Sequence, residues 1–213
     1  TVEYGTEFNQ KALKKLENKK INNKYSDDII QRFINIFLAH KKFYSADMPF
    51  LKLTFNKNAY LLKPIDIMPP DYLKGKFIHK SSTYYYKLNS EVFLKQFDKR
   101  GKKYIAPLDS VYDWEIKKEY KNVLGFKCRK AILSLINDNK VTAWFTPQIS
   151  VAFSPVKYYG LPGAILEITK PDKHIYAMDI KFKDDVEVKK PTEGIKLSKE
   201  EYKAMMTRFK PPE

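Results

Sequence analysis

At 213 residues, with 43% hydrophobic and 15% aromatic content, the chain is long enough to bury one sizeable core and too apolar for disorder, which supports a single domain over residues 1–213. The formal charge of +15 comes from 40 Lys+Arg against 25 Asp+Glu, and all but four of the cations are lysines, so the surface attracts anions without the planar forks that grip phosphates or bases. An intrachain disulfide is excluded because Cys128 is the only cysteine, and no apolar run approaches the length of a membrane-spanning helix.

In chain order, Val2 to Phe8 alternates loosely and suits a first strand, and the lysine-rich stretch from Lys11 to Lys24 is an exposed helix or a loop. Ser26 with Asp27 and Asp28 offers an N-cap and an acidic first turn, and Ile29, Ile30, Phe33, Ile34, Phe37 and Leu38 form an apolar stripe, so an amphipathic helix is expected from Asp27 to Tyr44. The period then becomes two. Leu51, Leu53 and Phe55 share one side of a strand, Asn56-Lys57-Asn58 makes a turn, and Tyr60 to Leu62 return. Pro64, Pro69 and Pro70 break pairing and make a loop of the stretch from Ile65 to Tyr72. Phe77 to Leu88, Val92 to Phe97 and Lys103 to Ile105 resume the strand pattern.

The second half reads as a meander of Tyr112 to Tyr120, Phe126 to Ile136, Val141 to Thr146, Ala164 to Thr169 and His174 to Phe182. Its exception is the connection from Pro147 to Gly163, which holds three prolines and is long enough to be a recognition element. Within it Gly160 and the Pro162-Gly163 pair read as a tight turn, proline presetting φ and glycine accepting φ > 0 as a type II turn needs. Ser198-Lys199-Glu200-Glu201 is a capping box that opens a short C-terminal helix, closed by Pro211-Pro212. The fold class expected from the residues is α+β: a curved antiparallel sheet, built as a meander, with one N-terminal amphipathic helix and a short C-terminal helix.

Catalytic templates are absent: there is no H-E-x-x-H, G-x-S-x-G, Walker loop or G-x-G-x-x-G, so no catalytic residue, metal ligand or cofactor is assigned. Cys128 lies among Lys127, Arg129 and Lys130, which would favour a thiolate if it were exposed, but on a strand it shares the apolar side with Phe126 and Ile132. Glu167, between Leu166 and Ile168, is either an outward polar residue or an acid on a concave face that needs a cation; Lys157 and Trp144 are its candidate neighbours. The interleaved aromatics and lysines, Tyr158 and Tyr159 among them, suit core packing better than base stacking, and no RNA-recognition signature accompanies them.

Three segments carry a family resemblance: Gly125-Phe126-Lys127-Cys128-Arg129-Lys130-Ala131, Thr142-Ala143-Trp144-Phe145-Thr146-Pro147-Gln148-Ile149, and Gly160-Leu161-Pro162-Gly163-Ala164-Ile165-Leu166-Glu167-Ile168. In that order they resemble the blocks of the GLPGLI family of exported Bacteroidetes proteins, with the hairpin from Leu53 to Leu62 resembling the family's upstream hairpin. Two positions depart from it, Ala164 in place of leucine and Ser150 in place of proline. The resemblance implies a periplasmic or outer-membrane-associated protein with its signal peptide removed, partnered by an outer-membrane transport protein or another envelope protein. It brings no reaction or cofactor. The reading that follows is a non-enzymatic envelope protein that binds a ligand or partner through Trp144, Lys157, Tyr159 and Glu167, with Gly160, Pro162 and Gly163 as the structural turn; the alternative is an envelope hydrolase using Glu167, Cys128 or a histidine.

Overall fold

The computed structural model describes residues 1–8, 49–65, 82–88, 90, 92–108, 112–135, 139–171 and 173–207. Twelve strands and one helix run through them: β1 (Val2–Phe8), β2 (Leu51–Phe55), β3 (Ala59–Pro64), β4 (Thr83–Lys87), β5 (Val92–Lys99), β6 (Lys102–Pro107), β7 (Glu115–Val123), β8 (Phe126–Ser134), β9 (Lys140–Thr146), β10 (Ala164–Thr169), β11 (Lys173–Ile180), β12 (Ile195–Lys196) and α1 (Lys199–Thr207). All twelve strands form one sheet in the order β12-β6-β5-β4-β3-β2-β1-β11-β10-β9-β8-β7.

The α+β expectation is corrected. The described part of the chain is predominantly β, and its helix, nine residues long, buries none of its side chains and so supplies no second layer. The amphipathic helix expected from Asp27 to Tyr44 lies outside the described residues. A single meander is corrected as well: β2–β6 and β7–β11 are two meanders joined through β1, which pairs antiparallel with both β2 and β11, and β12 adds to β6 in parallel. The reason is that turns fix only neighbouring pairs, whereas β1 finds its partner β11 at the far end of the chain.

Local chemistry explains the hairpins. Asn56 Oδ1 accepts hydrogen bonds from the amides of Asn58 at 2.9 Å and Ala59 at 3.0 Å, the Asx arrangement that turns β2 into β3. Arg100-Gly101 and Leu124-Gly125 each place two successive residues at positive φ, which matches the twist of β5–β6 and β7–β8. At α1 the capping box forms reciprocally, Ser198 N donating to Glu201 Oε2 at 2.7 Å and Glu201 N to Ser198 Oγ at 3.1 Å. Lys99 Nζ donates to the Met205 carbonyl at 3.2 Å and so caps the helix end against β5.

The main core gathers residues from both meanders and β1, including Val2, Tyr4, Leu53, Leu62, Val141, Ile165, Leu166 and Ile168, all essentially inaccessible. The connection between β9 and β10 belongs to it: Ile149, Val151, Phe153, Tyr159 and Leu161 are buried, and Phe153 packs on Phe55 at 4.9 Å. Its hydrogen bond from Ile165 N to the Phe153 carbonyl, at 2.9 Å, ties it to the start of β10. Among the described residues no helix is long and apolar enough to cross a membrane.

Candidate functional site

The long connection, residues 147–163, was expected to border a contact surface together with Trp144 and Glu167. Two separate arrangements lie beside it. One is a polar cluster centred on Glu167. A register shift between Ile165 and Glu167 makes Leu166 an extra residue opposite β9, so Ile165 and Leu166 are both buried and strict alternation along β10 ends there. Beyond the bulge Glu167 stands opposite Trp144 on β9 and Tyr176 on β11. Glu167 Oε2 accepts from Lys121 Nζ at 2.5 Å and contacts His174 Nε2 at 3.2 Å. Lys121 Nζ also lies 4.7 Å from the Trp144 ring centroid, within cation–π range. Burial works to raise the Glu167 carboxyl, but the hydrogen bonds from His174 and Lys121 outweigh it and hold the group below its ordinary value.

Cys128 stands directly opposite Lys121 and is fully buried. Burial first, and the Glu167 charge second, push its thiol up to about 11, which suits an inert core sulfur rather than a nucleophile. Glu167 is thus an acid already matched by two donors, with the buried thiol beside it. Such a cluster locks β7, β10 and β11 together.

The second arrangement is a groove at the ends of the connection. Tyr120 and Arg129 face each other across β7 and β8, and with Ile116, Phe145, Gln148 and Pro162 they border a concavity of about 480 Å3 open to solvent. Tyr120 is 53% exposed, unusual for a large aromatic on a strand, and Lys127 Nζ sits 4.8 Å from its ring centroid. Gln148 Oε1 accepts from Lys127 N at 2.8 Å, and Arg129 Nε donates to the Lys117 carbonyl at 2.7 Å, so both polar side chains are held in place. An accessible ring, an apolar wall and fixed amide and guanidinium groups suit a ligand with one apolar face and many hydroxyls.

The four expected binding residues are not brought together. Trp144 and Glu167 meet in the polar cluster and do not line the groove. Tyr159 is buried, its ring 4.5 Å from Phe93 and 4.7 Å from Tyr86, while its carbonyl accepts from Trp114 Nε1 at 3.1 Å. Lys157 is exposed at a different concavity, 5.2 Å from the Tyr158 ring. In the turn, Gly163 N donates to the Leu161 carbonyl at 2.9 Å, an i→i+2 bond centred on Pro162 rather than the expected type II turn, and Gly160 and Gly163 have φ of 104° and 146°. Tyr120, Arg129 and Gln148 were not singled out from the sequence; the signal for Tyr120 was a lone aromatic inside the charged run Lys117-Lys118-Glu119-Tyr120-Lys121.

No curated protein matches the chain. Among solved structures it is similar to PNGF-II in two crystal forms, at 14% identity in each, with TM-scores of 0.55 and 0.56 over 74% and 77% of this chain. It spans 29% and 30% of the length of those chains, and the likeness is one of fold. Residues 77–204, more than half of the chain, match a family described as N-glycanase peptide, N-terminal domain. The chain belongs to the N-glycanase peptide, N-terminal domain family.

Proposed function

We propose that the chain is a non-enzymatic module that binds saccharide on a glycoprotein through the groove formed by Tyr120, Arg129, Gln148 and Pro162. The observation that carries this reading is the exposed Tyr120 ring, with Lys127 Nζ 4.8 Å from its centroid, in a groove it shares with Ile116, Phe145 and Pro162 and with the fixed side chains of Gln148 and Arg129. A pyranose offers C–H groups to an aromatic face and hydroxyls to guanidinium and amide groups, so the groove's chemistry is complementary to it. The family description, an N-terminal domain of N-glycanases, adds a setting in which holding a glycosylated substrate would be useful. The resemblance to exported GLPGLI proteins supports a setting in the cell envelope, where the lysine-rich surface would favour anionic neighbours.

Of the residues named for the alternative hydrolase, Glu167, Cys128 or a histidine, Glu167 is disfavoured by the two donors already on it and Cys128 by the burial of its thiol. The experiment compares retention of an N-glycosylated protein and of its deglycosylated form on the immobilised chain. The glycosylated form is expected to be held, and Tyr120→Ala to weaken it by about tenfold with the melting midpoint unchanged. Equal retention of both forms, or full retention by folded Tyr120→Ala, sinks the reading. Glycan release that Glu167→Gln abolishes would replace it with the hydrolase.

A further inference from the structure

Three of the cations on the β7–β8 hairpin are matched by carboxylates: Lys117 by Glu115, Lys130 by Glu119 at 2.8 Å and Lys121 by Glu167 at 2.5 Å. The two that line the groove, Lys127 and Arg129, have no carboxylate partner among the described residues. They lie two residues apart on β8, hence on one face of that strand and about 7 Å apart along it. Tyr120 stands opposite Arg129 on β7, and Lys127 Nζ is 4.8 Å from its ring centroid. Arg129 is one of the few arginines in a lysine-rich chain, and its Nε donates to the Lys117 carbonyl at 2.7 Å, which fixes the guanidinium plane and leaves the two Nη groups as a fork. Gln148 Oε1 already accepts from the Lys127 amide at 2.8 Å and the Thr146 hydroxyl at 3.4 Å, so its NH2 is the group left to donate. The groove thus presents N–H donors and two positive charges beside an aromatic ring, with no carboxylate among the described residues that line it.

Resting on the reading of this groove as a saccharide site, we propose that it selects saccharide bearing an anionic substituent, a carboxylate or a sulfate, with Arg129 and Lys127 taking the charge and Tyr120 the face of the sugar ring. The Arg129 fork matches two oxygens of such a group with parallel N–H bonds, and Lys127 adds a point charge at the same opening. The hairpin's own acids, Glu115 and Glu119, are held by Lys117 and Lys130 and do not line the groove, so dissolved salt is what screens the two charges. A neutral sugar would engage the ring and the Gln148 amide but leave both cations without a counter-charge. An anionic one supplies it, and the steering that two like charges give around one concavity favours its approach.

Amide NMR titration of the chain with a matched trio tests it: lactose, its sialylated form, which carries a carboxylate, and its sulfated form. Saturable shifts are expected at residues 116–120, 127–129 and 145–148, with at least one anionic probe bound about tenfold or more tighter than lactose, the size of a charge-assisted hydrogen bond. The two anionic arms tell carboxylate from sulfate. The excess over lactose should shrink in about 0.5 M salt. In a Lys127→Gln/Arg129→Gln double variant with the wild-type melting midpoint, the ratio of anionic to neutral affinity should fall to about one. Equal affinity for the three sugars, a ratio that salt does not move, or a ratio that the folded double variant retains would overturn the selectivity while leaving the groove a saccharide site. No shift there with any of the three would overturn both.

Discussion

A Cβ on Gly163 would sit 2.2 Å from the Thr146 carbonyl oxygen and 2.9 Å from Pro147 N, both backbone atoms that cannot swing aside, at a φ of 146° that side chains rarely adopt. Gly163→Ala is therefore expected to cost of order 3 kcal/mol in denaturant unfolding. Gly160→Ala is the control: φ is 104° but nothing lies within 4 Å of its Cβ, so only backbone strain of about 1 kcal/mol is expected. The special conformation of Gly163 was legible from Leu161-Pro162-Gly163, but its main cause, the approach of the β9 end, was not. Two buried tyrosines make a second contrast. Tyr4 OH donates to the Ile165 carbonyl at 2.7 Å, while Tyr60 OH has no hydrogen-bond partner among the described residues. Tyr4→Phe should lose about 1–2 kcal/mol and Tyr60→Phe should be neutral or slightly stabilising, since it removes a buried hydroxyl without orphaning another group. Matching losses in thermal melts of the two variants would refute the distinction.

At the scale of elements, period-two patterns and turn chemistry located most strands: Val2–Phe8, Leu51–Phe55 and Ala164–Thr169 coincide with the expected ranges, and the capping box opens α1 where Ser198 and Glu201 place it. The bulge at Leu166 was not legible, because one extra residue in β10 is fixed by pairing with β9 and leaves no mark on composition. It matters for the site, since it puts Glu167 in reach of both Lys121 on β7 and His174 on β11. The pH dependence follows in sign. A carboxyl held below its ordinary value contributes stability that is present above the unfolded carboxylate range, about pH 4.5, and is lost as pH falls through the folded value. Glu167→Gln should thus be less stable than the wild type at pH 7, by about 1–3 kcal/mol, with the gap narrowing below about pH 4.5. A gap that stays constant from pH 7 to pH 3 in chemical denaturation would mean that the charge of Glu167 is not what joins these strands.

For the molecule as a whole, the decisive element is the seven-residue β1, since the meanders β2–β6 and β7–β11 meet only through it in the sheet order. Each meander can pair locally through short turns, whereas Tyr4 reaches the Ile165 carbonyl across 161 positions of sequence, so the joint is the costliest contact to form by chain closure. That is also why the strand order was illegible: alternation in Val2 to Phe8 marks a strand but not its neighbours. The joint is strong once made. β1 pairs along its whole length with β11 and over three residues with β2, and Val2 and Tyr4 are wholly buried with Thr6 at 2% exposure. At about 1.5–3 kcal/mol for each buried large side chain, together with the paired backbone, β1 contributes on the scale of a typical domain's net stability of about 5–15 kcal/mol. Removing residues 1–8 is therefore expected to abolish cooperative unfolding and the near-ultraviolet circular dichroism of the packed aromatics. Adding the eight-residue peptide back should restore part of that signal, because the slot between β2 and β11 offers open hydrogen-bonding edges on both sides. A truncated chain that unfolds cooperatively at the wild-type midpoint would show that the two meanders pack stably without the strand between them.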